Sequence, residues 1–177
     1  VLTLTSEKGT SDGDRHCNFG SGDALITDQA GKFLMIQLAD CQSIMLYDPT
    51  RQFVANIHCG WRGSIINIAG KTVAAMQKQF KCDPAQLVAG IGPSLGPCCA
   101  EFIHYRKEIP EIYWPYKEAN DHFNFWAISR DQLTDAGLSP DNIEISNMCT
   151  CCNTALFFSY RAEGQTGRCA AVIGLSR

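Results

Sequence analysis

Short apolar runs separated by turn residues dominate the pattern along the chain. Residues 1–5 alternate between apolar and polar positions, which is typical of a half-buried strand. The later runs are nearly continuous, as in strands that are buried on both faces. Together they predict strands over residues 1–5, 24–27, 33–39, 43–47, 53–58, 87–91, 143–146 and 168–175.

Two stretches have the periodicity of a helix. Ser64 can cap a helix whose apolar face carries Ile65, Ala69, Val73, Met76 and Phe80. A second helix is predicted over residues 126–136, ended by Gly137. Strands and helices alternate without a repeat or a linker. The pattern therefore predicts a single α/β (α+β layered) domain over residues 1–177, with a mixed β-sheet flanked by helices.

Composition narrows the functional classes. The chain is 45% hydrophobic and 19% charged with a net charge of −3, so nothing in its electrostatics favours nucleic acid as a partner. No apolar run reaches the roughly 18 residues of a membrane span. Five of the ten cysteines are crowded at residues 98–99 and 149–152, where neighbours cannot easily bridge one another, and the other five are scattered. This favours free thiols in a reducing compartment, and we expect a cytoplasmic protein.

A cysteine and a histidine stand at the ends of two predicted strands. Cys41 follows Asp40 at a strand corner, and His58 ends the strand over residues 53–58. Each alone has an ordinary explanation, as a buried thiol or as a histidine satisfied by the backbone. As a pair on rigid supports they suit zinc or copper. Asp40 is a candidate general base or a partner for a metal-bound imidazole.

The loop after His58 can bind a ligand. Gly60 and Gly63 allow the backbone to approach a ligand closely, and Arg62 between them offers a planar fork for an anion. An Arg paired with an internal carboxylate is an almost equal alternative for Arg62. Trp61 can stack on a flat ring or pack in the core, which is more usual for tryptophan.

A second group of cysteines lies at residues 149–152. It offers three sulfurs on one short loop, with no further pair at a standard zinc-ligand distance. We therefore predict that this loop is not a metal site, and that it shapes the edge of the pocket with Cys149 buried. Residues 164–168 resemble a phosphate-cradling loop, although an ordinary turn before a strand is favoured.

Five motifs, in this order, resemble those of one family. They are Ala-Asp-Cys at residues 39–41, His-Cys-Gly-Trp-Arg-Gly at 58–63, Gly-Pro-Ser-Leu-Gly-Pro-Cys-Cys at 92–99, Cys-Thr at 149–150, and Phe-Phe-Ser-Tyr-Arg at 157–161 followed by Thr-Gly-Arg at 166–168. The chain is thereby identified as similar to the YfiH family, also called laccase-domain or multicopper-polyphenol-oxidase-like proteins. The resemblance covers nearly the whole chain.

The resemblance implies a single α/β domain with one metal held by two histidines and a cysteine. It implies purine nucleoside phosphorylase activity, in which phosphate displaces the base of adenosine, inosine, guanosine or methylthioadenosine, and adenosine deaminase activity at the same site. The alternative is a copper-dependent polyphenol oxidase (laccase). Four histidines are too few for the usual multicopper arrangement, so the phosphorylase is favoured, with zinc before copper as its metal.

Carried onto this chain, the resemblance makes Cys41 and His58 metal ligands. The family's other histidine lies in a Gln-Val-His segment that this chain does not contain, so we expect the chain to lack an N-terminal segment. The candidate replacements are His16, His104 or a water. The expected catalytic residues are Cys41, His58, Asp40 and Arg62, and the expected substrate contacts are Trp61, Arg62, Phe157 and Arg161. The expected partners are a nucleoside and phosphate, bound by a monomer or a homodimer.

Overall fold

A mixed six-stranded sheet organises the protein, whose computed structural model describes residues 1–4 and 21–176. The strands are β1 (Leu2–Leu4), β2 (Ala24–Thr27), β3 (Phe33–Leu38), β4 (Gln42–Asp48), β5 (Phe53–Cys59), β6 (Val88–Ile91), β7 (Ile143–Ile145) and β8 (Cys169–Gly174). The large sheet has the order β1-β2-β5-β4-β6-β7, and β3 pairs with β8 in a separate antiparallel ribbon. The predicted strands are thus confirmed, with ends that differ by at most one residue, while Thr5, His16 and Cys17 lie outside the described residues.

Pairing within the large sheet is antiparallel at its centre and parallel at its two edges. Strand β5 pairs with β2 and β4, and β4 pairs with β6, all antiparallel, while β1 with β2 and β6 with β7 are parallel. The predicted mixed sheet is confirmed. Because β4 and β5 are joined by the short turn at Pro49, their far ends emerge side by side at one edge of the sheet.

Strand β5 is buried on both faces, which explains its continuous apolar run. Phe53, Ala55 and Ile57 face the main core, where they pack with the helix over residues 68–80. Val54 points to the opposite face and packs on Leu34 of the ribbon. A central strand covered on both sides loses the alternation expected of a half-exposed one.

The helices are α1 (Trp61–Ile65), α2 (Ile68–Phe80), α3 (Tyr105–Glu108), α4 (Phe125–Asp135) and α5 (Tyr160–Glu163). Short 3₁₀ segments occupy Pro84–Gln86, Glu111–Tyr116, Ala119–Asp121 and Pro140–Asn142. No helix in the described part of the chain is both long and apolar enough to span a membrane.

The prediction of one continuous helix from Ser64 was wrong. Asn67 takes a left-handed conformation, with φ of 53°, and its side chain accepts from the Gly70 backbone N–H at 2.9 Å. Asparagine tolerates this conformation and caps helices well, so α1 ends before Asn67 and a separate helix, α2, begins after it. Ser64 instead lies buried inside α1, where its hydroxyl donates to the Gly60 carbonyl at 3.3 Å.

An aromatic cluster forms a second core beside α4. Phe102 lies at its centre, with its ring centroid 5.7 Å from that of Trp61, 5.4 Å from Phe125 and 6.1 Å from Phe123. Edge-to-face and tilted contacts of this kind stabilise aromatic pairs beyond their buried area. The cluster orders residues 100–124, a stretch whose sequence carries little regular periodicity, and it brings Trp61 and Phe102 to the edge of the sheet where β5 ends.

Asn56 joins the ribbon to the large sheet. It is fully buried on β5, and its amide nitrogen donates to the carbonyls of Leu34, at 3.0 Å, and Ala171, at 2.9 Å. Its amide oxygen accepts from the Ser43 hydroxyl at 3.3 Å. One side chain therefore donates to backbone carbonyls of both ribbon strands.

We expect Asn56→Ala to lower the free energy of unfolding by about 2–4 kcal/mol, because the Leu34 and Ala171 carbonyls both lose this donor. Ser43→Ala is the matched control, since it removes only one hydrogen bond to the same amide and should cost about 1 kcal/mol. Urea unfolding of both variants measures the difference. Equal losses in the two variants would show that Asn56 does not hold the ribbon.

Candidate active site

Cys41 and His58 meet at the edge where β4 begins and β5 ends. Ser43 pairs with His58 and Gln42 with Cys59, so the residue before β4 lies beside the loop that follows β5. A Cβ atom built on Gly60 would lie 3.0 Å from the Cys41 sulfur and 3.9 Å from His58 Cε1. The absence of a side chain at Gly60 therefore leaves room for both groups to approach the same point.

The His58 ring is oriented by Asp23. Its Nδ1 lies 3.0 Å from Asp23 Oδ1, and its backbone N–H donates to the Asp23 carbonyl at 2.7 Å. A carboxylate only accepts, so Nδ1 carries the hydrogen and Nε2 is left for another partner. A hydrogen bond to Cys41 raises the pKa of His58 to about 9, helped by the Asp23 bond and opposed by burial. The sequence analysis missed Asp23.

Asp40 is an anchor at the strand corner. It has a φ of 79°, and its Oδ1 accepts from the hydroxyls of Thr150 and Ser159, each at 2.7 Å. Its Oδ2 accepts from the Arg161 backbone N–H at 2.6 Å. A carboxylate with three donors is suited to holding loops in place, and both of its oxygens are engaged by the protein itself.

A cavity of about 470 Å³ opens beside the Cys41–His58 pair. Trp61, Phe102 and Tyr160 form part of its wall, and Arg161 and Arg168 bring positive charge to it. This volume falls within the range of small-molecule pockets, which are mostly apolar with a few polar groups. The cavity can therefore take a flat aromatic ligand together with an anion.

Gln42 adds a buried donor to this lining. Its amide oxygen accepts from the Ser129 hydroxyl at 2.6 Å, whereas its Nε2 has no hydrogen-bond partner among the described residues. Leaving a buried N–H group unpaired is costly, and such groups often await a ligand or water. Sequence reasoning had no signal for Gln42, because a glutamine at the start of a strand has no distinctive pattern.

The two predicted arginines occupy different places. Arg62 is exposed, with its guanidinium carbon 4.1 Å from the centroid of the Trp61 ring, and it does not line the cavity. Arg161 does line the cavity, and its Nη1 donates to the carbonyls of Cys99 at 3.0 Å and Glu101 at 3.1 Å. The structure thus brings Arg161 and Trp61 to the same cavity as Cys41, His58 and Asp40. Arg62 packs against the Trp61 ring instead.

Phe157 and His104 lie elsewhere. Phe157 lines a second cavity of about 310 Å³ on the other side of Asp40 and Thr150, and His104 lines a third beside Lys107 and Asp121. His16 is outside the described residues. Within the described part of the chain, the site therefore offers Cys41 and His58 as soft metal donors.

The prediction that the loop at residues 149–152 holds no metal site depended on a premise that is wrong. It assumed that no further donor pair lies within reach, yet the structure places Cys98 and Cys99 against Cys149 and Cys152, with all four sulfurs within 4.8 Å of one another. Cys149 is buried as predicted, and Cys151 lies outside the group. The pairing was missed because the two loops are about fifty residues apart in sequence.

Two curated relatives share most of this chain. The purine nucleoside phosphorylase YlmD of Geobacillus stearothermophilus is 36% identical over 162 residues, which cover 86% of this chain and 59% of the relative. A purine nucleoside phosphorylase of Bacteroides thetaiotaomicron is 33% identical over 82% of this chain and 58% of its own length. The chain thus spans about three-fifths of these relatives.

Solved structures agree with the fold. The crystal structure of the hypothetical protein YfiH of Bacillus licheniformis superposes with a TM-score of 0.83 at 32% identity, covering 94% of this chain and 69% of that one. The crystal structure of YlmD from Geobacillus stearothermophilus gives 0.79 at 36% identity, covering 88% of this chain and 61% of that one. The α/β architecture is shared.

The family model described as multi-copper polyphenol oxidoreductase laccase matches residues 1–176. The match includes the corner at Asp40 and Cys41, the His58 loop and the segment that carries Arg161. Together with the relatives and the shared architecture, it shows that the chain belongs to this laccase-like family, the YfiH family.

Proposed function

We propose that this chain forms the main part of the active site of a metal-dependent purine nucleoside phosphorylase. The observation that carries the proposal is the cavity that joins the Cys41–His58 pair to an aromatic wall and to arginine. The names of the relatives support it, since several of them are called purine nucleoside phosphorylases. The substrates are adenosine, inosine, guanosine or methylthioadenosine, together with phosphate.

In the proposed reaction, a phosphate oxygen bonds to C1′ of the ribose while the bond from C1′ to the base nitrogen breaks. The electron pair of that bond leaves with the base, which takes up a proton, and the sugar passes through an oxocarbenium-like state. The chain's own contribution is positioning. Trp61 and Phe102 line the cavity and offer faces on which a purine stacks.

Phosphate needs a cationic partner at the cavity. Arg161 is fixed by two carbonyls and by its backbone bond to Asp40, so it presents charge without free movement. Arg62 lies over the Trp61 ring with an exposed guanidinium outside the cavity lining, so it has to turn towards the cavity to meet phosphate there. Arg62 is proposed as the group that binds phosphate. Arg161 stabilises the cavity wall and adds to the positive electrostatic potential in the cavity.

The residues present fit a zinc ion. Cys41 supplies a thiolate and His58 an imidazole whose Nδ1 is oriented by a carboxylate, an arrangement common among metal-binding histidines. A third ligand is proposed from the histidine segment that the family resemblance implies. When bound, zinc supplies a Lewis acid and a water of lowered pKa, chemistry suited to the proposed side activity of adenosine deamination.

Oxidation of phenols is the competing function, since the family description names it. It requires redox-active copper, and the described histidines near the cavity are limited to His58.

We expect the full-length protein, loaded with zinc alone, to release hypoxanthine from inosine only when phosphate is present. Chromatography of the free base measures this. A protein inert towards nucleosides in every metal form, yet oxidising phenols when loaded with copper, would make the oxidase assignment correct.

Arg62→Lys separates an anion contact from a structural one. Lysine keeps the charge but loses the bidentate fork, so the KM for phosphate should rise by about tenfold, more than the KM for nucleoside. The matched control is Arg51→Lys, which lies in the turn at the opposite end of β4 and β5 and should change neither constant. Steady-state kinetics with each substrate varied in turn gives both values. An equal rise in both constants for Arg62→Lys would return this arginine to a structural role.

A further inference from the structure

We propose that Cys98, Cys99, Cys149 and Cys152 bind one zinc ion in a closed tetrathiolate site, separate from the Cys41–His58 pair. None of the four cysteines lines the cavity of the candidate active site. The site therefore has no place in the proposed chemistry. Its role is to limit the movement of two loops that bind Arg161 and Asp40, both of which line that cavity.

The sulfur positions match a tetrahedral ion. Cys152 Sγ lies 3.5 Å from Cys98 Sγ and 3.4 Å from Cys99 Sγ, and all four sulfurs lie within 4.8 Å of one another. With zinc–sulfur bonds of about 2.3 Å, the edge of a tetrahedron of sulfurs is about 3.8 Å. A disulfide requires about 2.05 Å, so these contacts are not covalent bonds. Small movements of the four side chains place them at equal distance from one centre.

The backbone holds the two loops together independently of the sulfurs. Ser94 and Cys149 form a parallel bridge, in which the Ser94 N–H donates to the Met148 carbonyl at 3.2 Å and the Thr150 N–H donates to the Ser94 carbonyl at 3.0 Å. Gly96 permits the close approach, since a Cβ there would lie 3.0 Å from Cys149 Cβ. The geometry of the cluster is therefore set before any ion binds, which favours ion binding.

The surroundings suit thiolates. The Gly96 backbone N–H donates to Cys149 Sγ at 3.3 Å, the kind of bond that stabilises negative charge on a metal-bound sulfur. Four thiolate ligands fill a tetrahedral zinc completely and leave no position for water or substrate. Zinc sites of this composition are structural rather than catalytic.

The two loops connect directly to the candidate active site. The carbonyl of Cys99 accepts from Arg161 Nη1, and the hydroxyl of Thr150, next to Cys149, donates to Asp40. An ion that clamps the cysteines thereby limits the movement of both groups. Loss of the ion should loosen Arg161 and Asp40 while leaving the β4–β5 pair in place.

The test uses the full-length protein with Cys41→Ser, so that the candidate active site contributes little metal binding. After purification under reducing conditions, Co²⁺ is titrated as a coloured probe and Zn²⁺ content is measured by mass spectrometry. We expect one ion per chain and the visible absorption of tetrahedral cobalt thiolate. Adding Cys152→Ser should lower the affinity for the ion by more than about 100-fold. That is more than the typical loss when a group that only hydrogen-bonds to a metal ligand is removed.

Cys151→Ser is the matched control, because Cys151 lies on the same loop but outside the cluster, and it should bind the ion as before. Equal loss from Cys151→Ser and Cys152→Ser would overturn the site, as would a reduced protein that binds neither ion. A disulfide between Cys152 and Cys98 or Cys99 in protein kept under reducing conditions would overturn it as well.

A second measurement serves if Cys152→Ser does not fold. Thiol alkylation of the unsubstituted protein, mapped by mass spectrometry with and without a chelator, reports each cysteine separately. Zinc should protect Cys98, Cys99 and Cys152 together, and the chelator should expose them together, while Cys151 reacts at the same rate in both conditions. Protection that ignores the chelator would contradict an ion at this cluster.

Discussion

The carboxylate of Asp40 is the interaction on which the candidate site depends. It stands at the corner between β3 and β4, in a left-handed conformation that few side chains adopt without strain. Its donors come from Thr150, Ser159 and Arg161, more than one hundred residues further along the chain. One side chain thus connects the strand that precedes Cys41 with the C-terminal segment. The strain of the backbone is offset by three hydrogen bonds, of the charge-assisted kind when Asp40 is ionised.

The Asp40 anchor also divides the surroundings into two regions. On one side, the cavity with Cys41 and His58 has aromatic walls and arginine, and on the other lies the smaller cavity lined by Phe157. Phe157 and Arg161 are close in sequence, yet they serve different cavities, because the chain between them passes over Asp40. Motif membership therefore did not indicate which residues share a ligand.

Local patterns predicted much of this arrangement, and long-range pairing accounts for what they missed. Cys41 and His58 could be placed together because β4 and β5 are consecutive strands joined by a turn at Pro49, so their outer ends meet. Asp23 could not be found in this way, since it reaches His58 through the pairing of β2 with β5, which are separated by two other strands in sequence. The cysteine cluster depends on the β-bridge between Ser94 and Cys149, and no local sequence pattern predicts that bridge. The break between α1 and α2 had a local cause, the left-handed Asn67, but apolar periodicity continued across it.

The ribbon of β3 and β8 has a consequence for how the chain acquires its fold. Phe33 pairs with Gly174, so the two strands are about 140 residues apart in the sequence. During synthesis β3 leaves the ribosome long before β8 exists, and closing so large a loop is entropically costly. In that interval β3 is an unpaired strand carrying Leu34 and the largely exposed Phe33 and Met35. Such an edge is a template for pairing with other chains, so the nascent protein is at risk of aggregation until β8 is made.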